Sequence, residues 1–344
     1  MSKPINHHIT STSRMEDVAR EAGVARVTVS RALSHPDKVS PDTLSAVREA
    51  VQRLGYVPNL TAGSLASKRS RIVGAVIPTL ANAWFADALD GLAETLGTSS
   101  YQLMLGQSGY GLEDEARLID SFIGRKVDAL MLTGVVHHPA VAAKLRRLRL
   151  PTVEIWDLTD EPIDQVVGFS NEACGAAVGA YLLSRGRQRV GYIGADEVRS
   201  HKRQRGLASA LAKAGMPMPE AIAVQAPSNM EDGARCLAAL LARQPKLQAV
   251  FCSNDTLAMG ALAECRKRGL RVPQDMAVVG FSDLPMATVC APSLTSVRVR
   301  SREIGRRAGE LLLARLQSDA AARDGTTPPA ATDMGFEIIE RESS

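Results

Sequence analysis

Met15-Glu16-Asp17-Val18-Ala19-Arg20-Glu21-Ala22-Gly23-Val24-Ala25-Arg26-Val27-Thr28-Val29-Ser30-Arg31-Ala32-Leu33 is the stretch of this 344-residue chain on which its reading turns. Ser13-Arg14-Met15-Glu16 has the spacing of a capping box, the serine capping a helix and the glutamate reaching back. A first helix is expected over about Met15–Ala22, stopped by Gly23, which can take the left-handed backbone of a tight turn. A second runs through Arg26–Leu33 and ends before Pro36. Ser40-Pro41 supplies a cap and a first-position proline for a third, whose Leu44, Val47, Val51 and Leu54 share one face and which Gly55 closes. Three helices in about forty residues can just bury a common core. Helix, glycine turn, helix is the geometry that lays a second helix into the major groove of DNA. Val27, Thr28 and Val29 are β-branched and poor choices for a solvated helix face, so packing or contact sets them. Arg26 and Arg31 occupy polar positions from which either could reach a guanine or a phosphate.

The charge distribution agrees. Residues 1–71 hold 11 lysines and arginines against 6 acids, whereas the rest holds 30 against 31, so the whole excess of +4 sits in the first fifth. This is the footprint of a small nucleic-acid-binding head on a neutral body, although charge alone fits a basic surface without a partner equally well. At 45% hydrophobic and 23% charged, the composition is that of a globular protein, with no apolar run able to span a membrane. The first thirty residues lack the apolar core of a secretory signal, so a cytoplasmic protein is expected. Five widely spaced cysteines without a C-x-x-C suit buried thiols in a reducing compartment and argue against zinc or a disulfide framework.

The D-V-A, A-G-V and T-V-S-R run, followed by Val39-Ser40-Pro41-Asp42-Thr43 and Leu54-Gly55-Tyr56-Val57-Pro58-Asn59, resembles the head of the LacI/GalR family of bacterial regulators. The resemblance implies that Arg26, Val27 and Arg31 stand where the family reads operator bases. Thr28 and Ser30 would hold phosphates, which position the helix without specifying sequence. Asn59 joins this DNA-binding set. By composition Leu60–Arg71 is a flexible linker. By resemblance it is a hinge helix that orders on the operator, with Leu65 as the apolar wedge that opens the central base step from the minor groove. His35–Ser40 and Val153–Leu158, with Asp164 to Asn171, further resemble the gluconate-operon repressor subgroup.

From Ile72 the pattern changes to strand-length apolar runs alternating with helix-length segments. Ile72–Pro78, Tyr101–Gly106, Val127–Thr133, Thr152–Ile155 and Val166–Ser170 form one set of strands; Val190–Gly194, Ala249–Ser253 and Ala277–Ser282 begin another. Such alternation implies parallel sheets with helices on both faces. About 270 residues exceed one sheet, so two lobes are expected, with ligands in the cleft beyond the strand ends. The expected fold class is α/β: a three-helix helix-turn-helix head over 13–58, a hinge over 59–71, and a two-lobed effector-binding and dimerisation core over 72–340. The resemblance makes that core periplasmic-binding-protein-like. Ser318–Ala331 reads as a surface loop before one final strand near Met334–Ile339.

No catalytic constellation stands out. Gly106-Gln107-Ser108-Gly109-Tyr110-Gly111 follows a strand, but its spacing is not the dinucleotide fingerprint, and Glu113, Asp114 and Glu115 would repel a pyrophosphate. Phosphate-loop, zinc-protease and nucleophile-elbow motifs are absent, and His137-His138 is expected in a solvated loop. No metal or cofactor is expected.

Candidate ligand contacts are better defined. Trp84-Phe85 is the one adjacent aromatic pair in a chain only 4% aromatic. Core packing explains it as well as a cleft does, and the family's ligand-stacking aromatic at this position favours the cleft. Arg199, Lys202, Arg203 and Arg205 crowd the start of a helix, where the dipole disfavours cations unless a bound anion shares their charge. A solvated basic face is the bland alternative. The resemblance aligns Arg203 with an effector-gripping arginine. Other strand ends carry Glu154, Trp156, Asp157, Asn171, Ser253, Asn254, Asp255, Ser282 and Asp283, and one of Asn254 and Asp255 should merely cap the next helix. Many family members have an acid where Ser282 stands; here it is displaced to Asp283. The expected effector set is Trp84, Phe85, Glu154, Asp157, Arg199, Arg203, Asn254, Ser282 and Asp283. It suits a sugar acid such as gluconate, carboxylate on the arginines and hydroxyls on Glu154, Asp157 and Asn254. The expected function is a homodimeric repressor on a palindromic double-stranded operator, released by that effector, with pairing into tetramers left open. A neutral-sugar or purine effector, or a sugar-acid transport protein, are the competing readings.

Overall fold

A computed structural model of the chain describes residues 13–57, 69–318 and 330–344, which fall into two units, Met1–Ser70 and Arg71–Ser344. In the first, α1 (Met15–Glu21), α2 (Arg26–Ser34) and α3 (Pro41–Leu54) enclose Val18, Val29, Ala32, Val47, Ala50 and Tyr56. Gly23 turns the chain between α1 and α2 at φ +63°. The capping box sits one residue later than its spacing suggests. Asp17, not Glu16, accepts the Arg14 N–H at 2.9 Å, because the Ser13 hydroxyl instead donates to the Leu54 carbonyl at 2.8 Å and ties the head's two ends together. At α3, Ser40 Oγ accepts the Thr43 N–H at 3.3 Å.

The second unit holds two six-stranded sheets. Lobe one is built from β1 (Ile72–Ile77), β2 (Gln102–Gln107), β3 (Ala129–Thr133), β4 (Thr152–Ile155), β5 (Gln165–Gly168) and β11 (Ala330–Asp333), in the order β11-β5-β4-β3-β1-β2, all parallel. Lobe two uses β6 (Val190–Ala195), β7 (Glu220–Val224), β8 (Ala249–Cys252), β9 (Ala277–Ser282), β10 (Thr295–Arg298) and β12 (Glu337–Ile339), in the order β12-β10-β9-β8-β6-β7, with β12 antiparallel. The single final strand expected near Met334–Ile339 is therefore two. The chain adds a strand to lobe one, crosses at Met334–Phe336 and adds another to lobe two. A further strand, Glu220–Val224, lies at the edge of lobe two; its apolar run Ala221–Val224 is short, carries two alanines and is buried only at Val224.

The lobes' helices are α4 (Ala83–Gly97), α5 (Leu112–Gly124), α6 (Pro139–Leu148), α7 (Asn171–Ser184), α8 (Val198–Lys213), α9 (Met230–Arg243), α10 (Asp255–Lys267), the short α11 (Met286–Val289) and α12 (Ser301–Gln317). Among the described residues, three helix pairs meet backbone to backbone through reciprocal glycines. A Cβ on Gly305 of α12 would lie 1.8 Å from the Ala88 carbonyl oxygen of α4; one on Gly233 of α9 would lie 2.1 Å from Leu257 O of α10. The pair that matters for function is α7 with α8, where a Cβ on Gly175 would lie 1.8 Å from the carbonyl oxygen of Arg203. Gly175→Ala should therefore push α8 away, with a loss of about 3 kcal/mol in urea denaturation, the cost of overpacking a rigid contact. A loss near zero would mean that the two helices can separate freely.

Candidate functional site

On the head, α2 presents a split face. Val29 is buried in the three-helix core, whereas Val27 is 67% exposed, and Ser30 and Arg31 are exposed beside it. The β-branched run thus serves packing at one position and leaves Val27 as surface apolar area on the helix, with Thr28 half-buried between them. Arg26 is also exposed, but its guanidinium pairs with Glu16 of α1 at 3.0 Å, so reaching a base would require it to leave that carboxylate. Asn59 and Leu65, with most of the expected hinge, lie outside the described residues.

In the core, the strand ends of both lobes meet across a cleft. Its inner chamber holds about 30 Å³, room for a water or two, and opens beside an outer one of about 300 Å³. Trp84, Phe85, Trp156 and Phe169 from lobe one continue into Phe281 from lobe two as a chain of ring contacts with centroids 5.6–5.9 Å apart. Two arginines of α8 lie on this wall: Arg203 sits 4.1 Å from the Phe281 ring centroid and Arg199 5.8 Å from that of Phe85. Arg203 also donates to Asn171 Oδ1 and, at 3.3 Å, to the Ser253 carbonyl; Asn171 in turn donates to Trp156 O at 2.8 Å.

The anion inferred from this crowd of cations is supplied in part by the chain itself. Glu197 caps α8, accepting the N–H groups of Ser200 at 2.7 Å and Arg199 at 3.2 Å, and its carboxylate lies 3.0 Å from Arg199 and 3.5 Å from Arg203. Burial alone would raise its carboxyl pKa, but the two arginines and two amides hold it below the usual range. Asp157 takes Lys202, Asp196 takes His201 at 3.2 Å and Glu172 takes Arg205 at 3.7 Å. What is left in the inner chamber is one cation in excess, Arg199 and Arg203 against Glu197. The buried indole N–H of Trp156 and Nε–H of Arg203 find no acceptor among the described residues.

Of the sequence-derived set, Trp84, Phe85, Arg199, Arg203 and Asn254 line the inner chamber, and Asp157 and Arg199 the outer. Asn254 also caps α10, accepting the Leu257 N–H at 2.8 Å. Glu154, Ser282 and Asp283 line neither chamber. Glu154 points into lobe one, where it accepts the Ile163 N–H at 2.6 Å. Ser282 has φ +108°, and Asp283 turns back to Arg298 at 2.7 Å and Arg341 at 2.6 Å. Tyr110 and Glu197, which line both chambers, were missed, although each directly follows a strand's C-terminal end, where ligand groups gather.

The solvated loop expected for His137-His138 is overturned. His138 does cap α6, but the His137 ring is buried between Glu115 at 2.9 Å and Glu154 at 3.3 Å. Burial opposes its charge, yet the two carboxylates win and hold its pKa up to about 9. A raised histidine pKa stabilises the fold fully below the unfolded value of 6.5, and that contribution is lost as pH rises through 9. The fold should lose about 3 kcal/mol between pH 6.5 and 9.5 in urea titrations, and His137→Gln should flatten that dependence. An equally steep His137→Gln curve would place the titration elsewhere.

A head that presents a helix for a groove, and a two-lobed core with a charged, aromatic cleft, define a ligand-responsive transcriptional regulator. The comparisons specify which kind. The model for bacterial regulatory proteins of the lacI family matches residues 14–59, and that for a periplasmic-binding-protein-like domain matches 180–344. The chain is 38% identical to the HTH-type transcriptional regulator GntR of Pseudomonas aeruginosa, covering 98% of both chains. It is 33% identical to the HTH-type transcriptional regulator GntR of Escherichia coli K12, over 94% of this chain and 96% of that protein. Its fold matches the crystal structure of a LacI-family transcriptional regulator from Silicibacter pomeroyi with a TM-score of 0.88, at 29% identity over 96% of this chain and 99% of that one. The chain belongs to the lacI family and is a DNA-binding transcriptional repressor, not an enzyme. No helix of the described residues is long and apolar enough to cross a membrane.

Proposed function

We propose that the protein, as a homodimer, occupies a palindromic operator through α2 of each head and is released when a sugar acid such as gluconate enters the interlobe cleft. The observation that carries the effector class is the inner chamber's surplus of one positive charge, in a wall whose Trp156 and Arg203 also keep a buried N–H without an acceptor among the described residues. Buried donors left unpaired are costly, and a carboxylate neutralises the charge while adding acceptors to a wall that lacks them. The inner chamber admits only the acid end, so the polyol lies toward the outer chamber, where Asp157 and Tyr110 offer hydrogen-bonding groups. Because the cleft joins the two lobes, ligand binding biases their arrangement, and the hinge with Leu65 transmits that bias to DNA. On the head, Arg31 and Val27 read bases while Thr28, Ser30 and Asn59 hold the backbone; Arg26 joins the readers once Glu16 releases it.

Calorimetric titration of the DNA-free protein tests the effector class. D-gluconate should bind at least about 30-fold more tightly than D-glucitol, which replaces the carboxylate by a hydroxymethyl group and forgoes about 2 kcal/mol of charge-assisted bonding. Equal affinities would remove the sugar-acid reading while leaving the repressor in place.

A further inference from the structure

The turns that open the strands of the two lobes are built differently. In lobe one, Arg71, Ser100, Lys126 and Arg149 stand just before β1, β2, β3 and β4 with φ of +55°, +57°, +58° and +50°. In lobe two, the turns before β6, β7 and β9 use Gly186, Gly215 and Gly269 at φ +73°, +69° and +69°. Glycine takes this conformation freely, and side-chain-bearing residues take it only under strain. Lobe one thus retains side chains where the same turn elsewhere in the molecule has none, and three of the four are basic.

Their placement makes a row. Strands β4, β3 and β1 are adjacent and parallel, so Arg149, Lys126 and Arg71 stand side by side at one end of the sheet, at the strand spacing of about 4.8 Å. Arg125 and Arg147 flank them. Arg125, Lys126, Arg147 and Arg149 are all exposed, and none has an ion-pair partner among the described residues, whereas Arg117, Arg243 and Arg302 elsewhere on the core surface each hold a carboxylate. Two acids at this end of the sheet are engaged: Asp128 accepts the Arg71 N–H at 2.8 Å and Asp164 holds Arg315 at 2.5 Å. The chain enters β1 at this same end, from a head that binds DNA and is tethered by residues 58–70, a span of roughly 50 Å at most.

We propose that this end of lobe one is a second DNA-contacting surface, in which Arg125, Lys126, Arg147 and Arg149 touch phosphates of the duplex that the head holds. A row of cations with few acids matches a polyphosphate and carries no base-reading geometry, so its contribution is independent of sequence. The proposal rests on the head's DNA binding. Its test uses the full-length protein, the tightest duplex that it selects from a random library, and a scrambled duplex of equal length. In the variant Arg125→Gln/Lys126→Gly/Arg147→Gln/Arg149→Gly, both glycines fall at left-handed positions, so the fold is retained. A second variant, Arg147→Gln alone, leaves the turns untouched.

Each phosphate contact removed should make the slope of log affinity against log salt shallower by about 0.9, so the fourfold variant should lose at least about 2 from the slope. Its affinity should fall about tenfold or more, by the same factor on both duplexes, and Arg147→Gln should show a single step of about 0.9. An unchanged slope overturns the proposal. So does a loss of affinity at constant slope, which would mean that these residues act on the protein rather than on phosphates, or a loss confined to the selected duplex, which would mean base reading. Failure of the wild-type protein to select any duplex would overturn the DNA-binding reading itself.

Discussion

Arg203→Ala is expected to yield a repressor that holds its operator and no longer lets go. Arg203 is buried, stacked 4.1 Å from the Phe281 ring centroid and hydrogen-bonded to Asn171 and the Ser253 carbonyl, so its guanidinium is already fixed where a ligand carboxylate would meet it. Truncating one partner of a buried charge pair costs about 2 to 4 kcal/mol, which would weaken gluconate binding roughly 30- to 1,000-fold. The head has its own core, closed by Val18, Val29 and Val47, and should bind DNA as before. Because coupling between sites is reciprocal, the factor by which saturating gluconate still weakens operator binding in the variant must equal the factor by which operator weakens gluconate binding. The check is gluconate titration of the preparation that binds operator normally. Loss of both activities would indicate a damaged fold, and retention of gluconate binding would take Arg203 out of the site.

The second large effect is expected at the head. Arg31 is exposed on α2 and has no ion-pair partner among the described residues, unlike Arg26 with its bond to Glu16. An arginine free to form a bidentate pair with guanine is worth about 1 to 3 kcal/mol of discrimination. Arg31→Ala should weaken binding to the selected operator by roughly 5- to 150-fold and to scrambled DNA much less. An equal loss on both would make Arg31 a phosphate contact and leave base reading to Arg26 and Val27.

Much of this architecture could be read from local chemistry. The glycine after α1, the Ser40-Pro41 start of α3 and most of the strand–helix alternation each depend on neighbouring residues and appear where expected, the strand Glu220–Val224 and the doubled final strand being the exceptions. The cleft was legible as far as the strand-end rule reaches, which is why Trp84, Arg199, Arg203 and Asn254 come together. What escaped depends on partners distant in sequence or on a backbone turn. His137 looked solvated because Glu115 lies 22 residues away. Glu154 and Asp157 read as one group, yet Trp156 between them has φ +76°, and the chain turns there to leave Glu154 in the lobe and Asp157 at the outer chamber. Ser282, at φ +108°, similarly precedes an Asp283 committed to two arginines. The capping box moved by one residue because a long-range bond from Ser13 to Leu54 outbid the local one.

The most direct test of the whole account is fluorescence anisotropy of the full-length protein on its selected operator, titrated in parallel with D-gluconate and D-glucitol. Dissociation by gluconate at concentrations where glucitol leaves the complex intact is the predicted result. A complex that ignores gluconate, or that both compounds release alike, would contradict a carboxylate-sensing switch.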